Sequence, residues 1–158
     1  MPPSGSARPV VLYPCPPKGN VVRTAVDSSA LLAVFLGEPD ADAWVELLVA
    51  ARQDADLVIC ETVMAEISPL FSSLDRLLDV LRDLGIRLEP TTADTAYLAG
   101  RIFSRYRAEG GLRPHLIPDF LIAAHAVTQA GQLAAADRGY LRRYFPELVV
   151  LRPQSRRS

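Results

Sequence analysis

Short apolar runs alternate with amphipathic helical segments along most of this chain, and that alternation restricts its fold more than any other feature. "VVRTAVD" reads as a strand, "SSALLAVFLG" as a helix closed by Gly37, and "DADAWVELLVAARQ" as an amphipathic helix capped by Asp40. "DLVICE" is a short buried strand. "TVMAEISPLFSS" has helical spacing at Val63, Ile67, Leu70 and Leu74, and Pro69 should bend or interrupt it. "LDRLLDVLRDLG" is a clear amphipathic helix, "IRLEP" a strand, and "ADTAYLAGRIFSRYRAEGG" a long helix stopped by a glycine pair. "PDFLIAAHAVTQAG" then reads as a helix, "QLAAAD" as a strand, "RGYLRRYFP" as a short helix and "ELVVL" as a last strand. Strands that alternate with helices predict a parallel sheet with helices on both faces.

The body of this pattern spans 21–152, one domain's worth of a 158-residue chain. Residues 1–20 are rich in proline, glycine and serine and read as a disordered tail; 153–158 read as a short flexible one. The tails and Arg152 carry five of the 17 basic residues and no acid, which leaves 12 basic against 18 acidic residues in the body. Such a body is not built to hold nucleic acid by bulk charge; binding would need local arginines or metal ions. No apolar run approaches the roughly 20 residues that cross a bilayer, and no secretory leader is visible. Two cysteines, Cys15 and Cys60, make neither a disulfide framework nor a zinc site, so a cytoplasmic setting is expected.

In parallel α/β sheets ligands bind beyond the carboxyl ends of the strands, where the strand order reverses. Asp27 closes the first strand and Asp137 closes "QLAAAD". Asp119 opens the helix that feeds that strand. Glu66 lies one turn into the helix after "DLVICE", beside Val63 and Leu70, and should be partly buried. Each acid has an ordinary use as a cap, a turn residue or a flank charge. Together they would repel by roughly 1–4 kcal/mol per pair at about 4 Å, which favours a hard cation such as Mg²⁺ or Mn²⁺ among them. Ile122, Ala123 and Ala126 share the face of Asp119, and the alanines should leave room for an ion and a phosphate; His125 is rotated off that face and reads as structural.

The stretches "AVDSSALLAVF", "ETVMAEI", "PDFLIAAHA" and "AADRGYLRRYFPELVVL", in this order, resemble the PIN domain, specifically the VapC-type toxin ribonucleases. The resemblance implies a three-layer α/β/α sandwich with a central parallel sheet, Mg²⁺- or Mn²⁺-dependent cleavage of RNA, a homodimer, and a small antitoxin partner. It carries the family's acids onto Asp27, Glu66, Asp119 and Asp137, as catalytic and metal-holding residues, and its small polar residue onto Ser28, followed by Ser29. Glu61 at the strand end competes with Glu66; the family position selects Glu66. Where related toxins often carry Thr, two residues before the last acid, this chain has Ala135, so one hydroxyl that would orient water is missing.

The chemistry expected is metal-assisted phosphodiester hydrolysis, because His115 and His125 are the only histidines and form no obvious acid–base pair. Arg101, Arg105, Arg107 and Arg113 form one candidate phosphate-binding group; Arg138, Arg142 and Arg143 form another, with Tyr106 and Tyr140 for base stacking. A receiver domain would need a lysine beyond a later strand, but the one lysine is Lys18; a haloacid-dehalogenase-like phosphatase would need Asp where Ser29 stands. The rival reading is a catalytically weak module of the same fold that binds RNA or a protein.

Overall fold

A computed structural model describes residues 22–112, 117–136 and 139–154. Arg113, His115, Asp137, Arg138, residues 1–21 and 155–158, and the side chain of Tyr140 lie outside the described residues.

Five parallel strands form one sheet: β1 (Arg23–Val26), β2 (Asp56–Ile59), β3 (Ile86–Leu88), β4 (Gly131–Ala134) and β5 (Val149–Leu151), in the order β3-β2-β1-β4-β5. Thr24 pairs with Leu57 on one side and with Gln132 on the other, so β1 is central. Thr24, Ala25 and Val26 are buried, as expected of a strand covered on both faces. The Thr24 hydroxyl accepts from the Gln132 amide at 2.7 Å, which satisfies a polar atom at the sheet's centre.

The helices are α1 (Ser28–Leu36), α2 (Ala41–Asp54), α3 (Glu61–Ile67), α4 (Leu74–Leu84), α5 (Ala93–Ala108), α6 (Ile117–His125) and α7 (Tyr140–Tyr144). The chain steps from β1 outward to β2 and β3, then returns across β1 to β4 and β5. Right-handed crossovers therefore place α1–α4 on one face and α5–α7 on the other, a three-layer α/β/α sandwich. The two cores agree with this. Leu31, Trp44, Leu48, Leu77 and Leu81 fill one side; Phe120, Leu141, Tyr144 and Phe145 fill the other.

Local chemistry explains most boundaries. Gly37 and Gly85 end α1 and α4 in the left-handed conformation, with φ of 64° and 69°. Ser73 and Thr92 cap α4 and α5 through their hydroxyls. The helical segment across 62–73 is interrupted near Pro69 as expected: α3 stops at Ile67, and Pro69 sits in a 3-10 turn, Ser68–Leu70. Two expectations need correction. Asp40 occupies the capping position of α2 but makes no side-chain cap bond; its carboxylate accepts from the Trp44 indole N–H at 3.0 Å. The helix expected up to Gly131 leaves α geometry after His125 and continues as a π turn, Ala126–Ala130. There the Thr128 hydroxyl bonds the Ala124 carbonyl at 2.8 Å, the kind of local side-chain bond that competes with the helical ladder. No helix among the described residues is long and apolar enough to cross a membrane.

Candidate active site

The strand order reverses between β1 and β4, so the crevice at their carboxyl ends is the site this topology offers. Asp27 is there. Its N–H extends the β1–β4 ladder to the Ala134 carbonyl at 2.9 Å, and its side chain caps α1, with Oδ2 accepting from the Ser29 N–H at 3.1 Å. The ordinary reading of Asp27 as a cap is therefore correct. It is compatible with a second role, because a carboxylate has two oxygens and about four acceptor sites.

Ser29 ties this crevice together. Its hydroxyl donates to Asp27 Oδ2 and accepts from the Ala136 N–H at 3.1 Å. Ala136 is the second residue past the end of β4 and precedes Asp137 in the chain. One hydroxyl thus spans the switch point and fixes the β4 exit to the carboxylate after β1. The family resemblance points to Ser28, with Ser29 next; the bridging hydroxyl is that of Ser29. Ala135, where a hydroxyl was missed, is buried, and its N–H bonds the Leu151 carbonyl at 3.1 Å.

Asp119 is half-buried in the first turn of α6, where a negative charge is favoured by the orphan N–H groups and the helix dipole. It is the third residue of the described helix rather than its opening cap. Ile122, Ala123 and Ala126 are all buried in the core. The two alanines let α6 pack closely. Glu66 is exposed on α3, contrary to the burial expected from its neighbours; Val63 and Ile67 take the inward positions. Helix α3 packs against both α1, which Asp27 caps, and α6, which carries Asp119.

Glu61 has a different job. Both of its oxygens accept from Thr91, one from the N–H at 2.8 Å and one from the hydroxyl. Burial pushes the Glu61 carboxyl up, but these two bonds outweigh it and hold it below its ordinary value. Glu61 thus clamps the loop after β3.

Among the described residues no three His, Cys, Asp or Glu side chains stand together as a metal site, and Asp137 lies outside those residues. The donor set itself suits a hard cation. Asp27, Asp119 and Glu66 offer only carboxylate oxygen, while the softer donors are withdrawn into the core: Cys60 and His125 are both buried. Burial also pushes the Cys60 thiol up, away from the thiolate a nucleophile needs.

His125 is the structural residue its position suggested, 1% exposed, and its Nε2 has no hydrogen-bond partner. Burial pushes the imidazole below its ordinary value, opposed by the nearby Glu89 and Glu61 and reinforced by Arg23. The unfolded chain therefore takes up a proton that the folded chain resists. Stability is complete above the unfolded pKa of about 6.5 and falls as the pH drops below it. His125→Gln is expected to flatten the change in urea midpoint between pH 7.5 and pH 5; an unchanged slope would place the acid sensitivity elsewhere.

Within the expected arginine groups, Arg105 and Arg107 make defined contacts. Arg105 Nε lies 3.8 Å from Glu109, and its guanidinium is 5.3 Å from the centre of the Tyr144 ring. Arg107 donates to the Gly111 carbonyl. Tyr106 is half-buried and engaged by its neighbours. Its ring packs against Phe103, Phe120 and Tyr144 at 5.9, 5.4 and 5.5 Å, and Gly111 lies so close over it that a Cβ there would meet the ring at 2.4 Å.

Solved structures that share this fold include two named VapBC. The VapBC2 complex from Rickettsia felis bound to a DNA fragment from its promoter has a chain that superposes with a TM-score of 0.65 at 14% identity, covering 84% of this chain and 100% of that one. The DNA-bound VapBC from Salmonella typhimurium gives 0.58 at 17% identity, covering 83% and 98%. None of the curated proteins compared with the chain matches it. The PIN domain model matches residues 24–146, from the central strand to the aromatic core beneath α7, and the chain therefore belongs to the PIN domain family.

Proposed function

We propose that this protein is a metal-dependent endoribonuclease, the VapC-type toxin of a toxin–antitoxin pair. The observation that carries the reading is the Ser29 bridge, which holds the Asp27 carboxylate against the exit of β4 at the reversal of strand order. Membership of the PIN family and likeness to two VapBC chains support it.

In this reading Asp27, Glu66, Asp119 and Asp137 hold Mg²⁺ or Mn²⁺. The bound cation supplies charge for the phosphate and lowers the pKa of water. The chain's own residues position and restrain. Asp27 is oriented by two donors from Ser29, and Asp119 is set in the first turn of α6 by the packing of Phe120 behind it. Arg105, Arg113 and Arg138, with Ser28, are the proposed substrate contacts.

Purified protein incubated with single-stranded RNA should cleave it with Mg²⁺ or Mn²⁺ and stop on addition of EDTA. Equal cleavage in EDTA, or RNA bound but intact with either metal, would favour the weak binding module instead. Ser29→Ala removes the bridge but keeps the backbone cap. It is expected to cost about 1 kcal/mol of stability. The cleavage rate should fall about 10–100-fold, as when a metal ligand loses its orienting partner. Ser29→Thr should restore most of the rate. A full rate in Ser29→Ala would remove the bridge from the mechanism.

The antitoxin is the proposed partner, and a homodimer the proposed assembly. A cleft of about 190 Å³ between α1, α2 and α4 is lined by Leu31, Val34, Leu48 and Leu84, and Val45 and Val49 of α2 lie exposed beside it. This is the apolar surface an antitoxin helix would cover. Val45→Glu with Val49→Glu should release growth arrest in a host that co-expresses the antitoxin; continued neutralisation would move the interface elsewhere.

A further inference from the structure

A second cleft, of about 350 Å³, opens between the end of α5 and the start of α7. Its volume lies within the range of clefts that hold small ligands, about 300–1,000 Å³. Its floor is the Tyr106–Tyr144 pair, and both rings touch Phe120, the residue after Asp119, at 5.4 and 5.9 Å. Gly139 on its rim lies two residues beyond Asp137 in the chain. The cleft is therefore built on segments adjoining, in the chain or through Phe120, two of the proposed acids.

Its charge is assembled with care. Glu109 accepts from Arg143 at 3.1 Å and from the Tyr144 hydroxyl at 2.8 Å, with Arg105 Nε 3.8 Å away. Both guanidiniums stand 5.3 Å from the centre of the Tyr144 ring. One carboxylate anchors two arginines, so these three side chains carry one net positive charge. Each guanidinium has five N–H donors, far more than one carboxylate and one ring can use. Gly110 and Gly139 form walls without Cβ atoms, at φ of 89° and 78°, and nothing lies within 4 Å of where either Cβ would be. A ligand can approach the backbone closely there.

Tyr144 is buried and Tyr106 half-buried, and the charged groups of the cleft come from its arginines and Glu109. The result is a cationic, glycine-walled cleft on a chain whose body is acidic, and its chemistry suits phosphate.

We propose that this cleft, through Arg143 and Arg105, holds a non-scissile backbone phosphate of single-stranded RNA and so seats the strand across the proposed active site. The proposal rests on the nuclease reading. Glu109 acts as a positioning residue that splays the arginines over Tyr144. Contact with phosphate alone makes this subsite indifferent to base sequence.

The test uses the full chain with Asp27→Asn, to prevent cleavage, and a labelled 12-nucleotide oligouridylate read by fluorescence anisotropy over a salt series. Arg143→Gln should weaken binding about 5-fold or more and flatten the salt dependence by about 0.7 in slope, the value for one phosphate on a single strand. Arg143→Lys, which keeps the charge, should retain most of the affinity. Arg82→Gln, on α4 and paired with Asp79 at 2.8 Å, should leave it unchanged. Unaltered affinity and slope in Arg143→Gln, or an equal loss in Arg82→Gln, would overturn the proposal. If the wild type binds through Arg143 but never cleaves RNA with metal, the nuclease reading fails and the cleft stands. If it cleaves while Arg143→Gln binds normally, the cleft fails and the nuclease stands.

Discussion

Asp27→Asn and Asp119→Asn are each expected to slow metal-dependent RNA cleavage by more than about 100-fold, the upper end of what loss of a ligand's orienting partner costs. The fold should survive both changes. Asn is as good a cap as Asp, so the bond from the Ser29 N–H to residue 27 persists. Asp119 is half-buried in the first turn of α6, and Asn there keeps the size and polarity of the side chain while giving up a helix-dipole contribution of roughly 0.3–1 kcal/mol. Rate and melting temperature therefore separate in this experiment. A rate near wild type in both variants would end the proposal that these acids hold the catalytic cation. Expression in a bacterial host gives an independent readout: both variants should lift growth arrest caused by the wild type, whereas equal toxicity of all three proteins would mean the chain acts by binding.

The largest loss of stability is expected from Phe120→Ala. Phe120 is fully buried, with Phe103, Tyr106, Phe145 and Tyr144 around it at 5.4, 5.4, 5.8 and 5.9 Å. Truncating such a ring costs about 3–5 kcal/mol through lost burial and the cavity left behind. A domain of this size is stable by only about 5–15 kcal/mol. At about 2–4 °C per kcal/mol the melting temperature should drop by roughly 10 °C. The effect should also reach the proposed chemistry, because the same ring anchors the first turn of α6 that carries Asp119 and the floor of the arginine cleft. Cleavage measured well below the new melting temperature should remain depressed, and Phe120→Leu should recover much of both losses. A melting temperature within 2 °C or so of the wild type would show that α5, α6 and α7 are not held together by this cluster.

Most of the architecture was legible in the residue pattern. Short apolar runs such as "RTAV" and "DLVI" are buried strands because a parallel sheet covered on both faces tolerates few polar side chains, and helical spacing marked α1 to α7 in order. Where local chemistry had rivals, the pattern misled. Asp40 precedes α2 as a cap should, yet the Trp44 indole takes its carboxylate. "VTQAG" has helical composition, yet the Thr128 hydroxyl takes a carbonyl and the helix widens to a π turn. Glu66 borders an apolar stripe, yet the helix turns it outward because Val63 and Ile67 fill the space beneath.

The sequence by itself determined which elements form, their order, and that acids follow β1 and open α6, since period and capping are properties of neighbouring residues. Only the tertiary structure decided which side chains meet across large separations. That Ser29 rather than Ser28 joins Asp27 to Ala136, that Glu61 is spent on Thr91, and that Arg105 and Arg143 share Glu109 over Tyr144 all depend on how distant segments pack. No local periodicity encodes such pairings, because they arise from the register of β1 against β4 and the seating of α5 against α6 and α7.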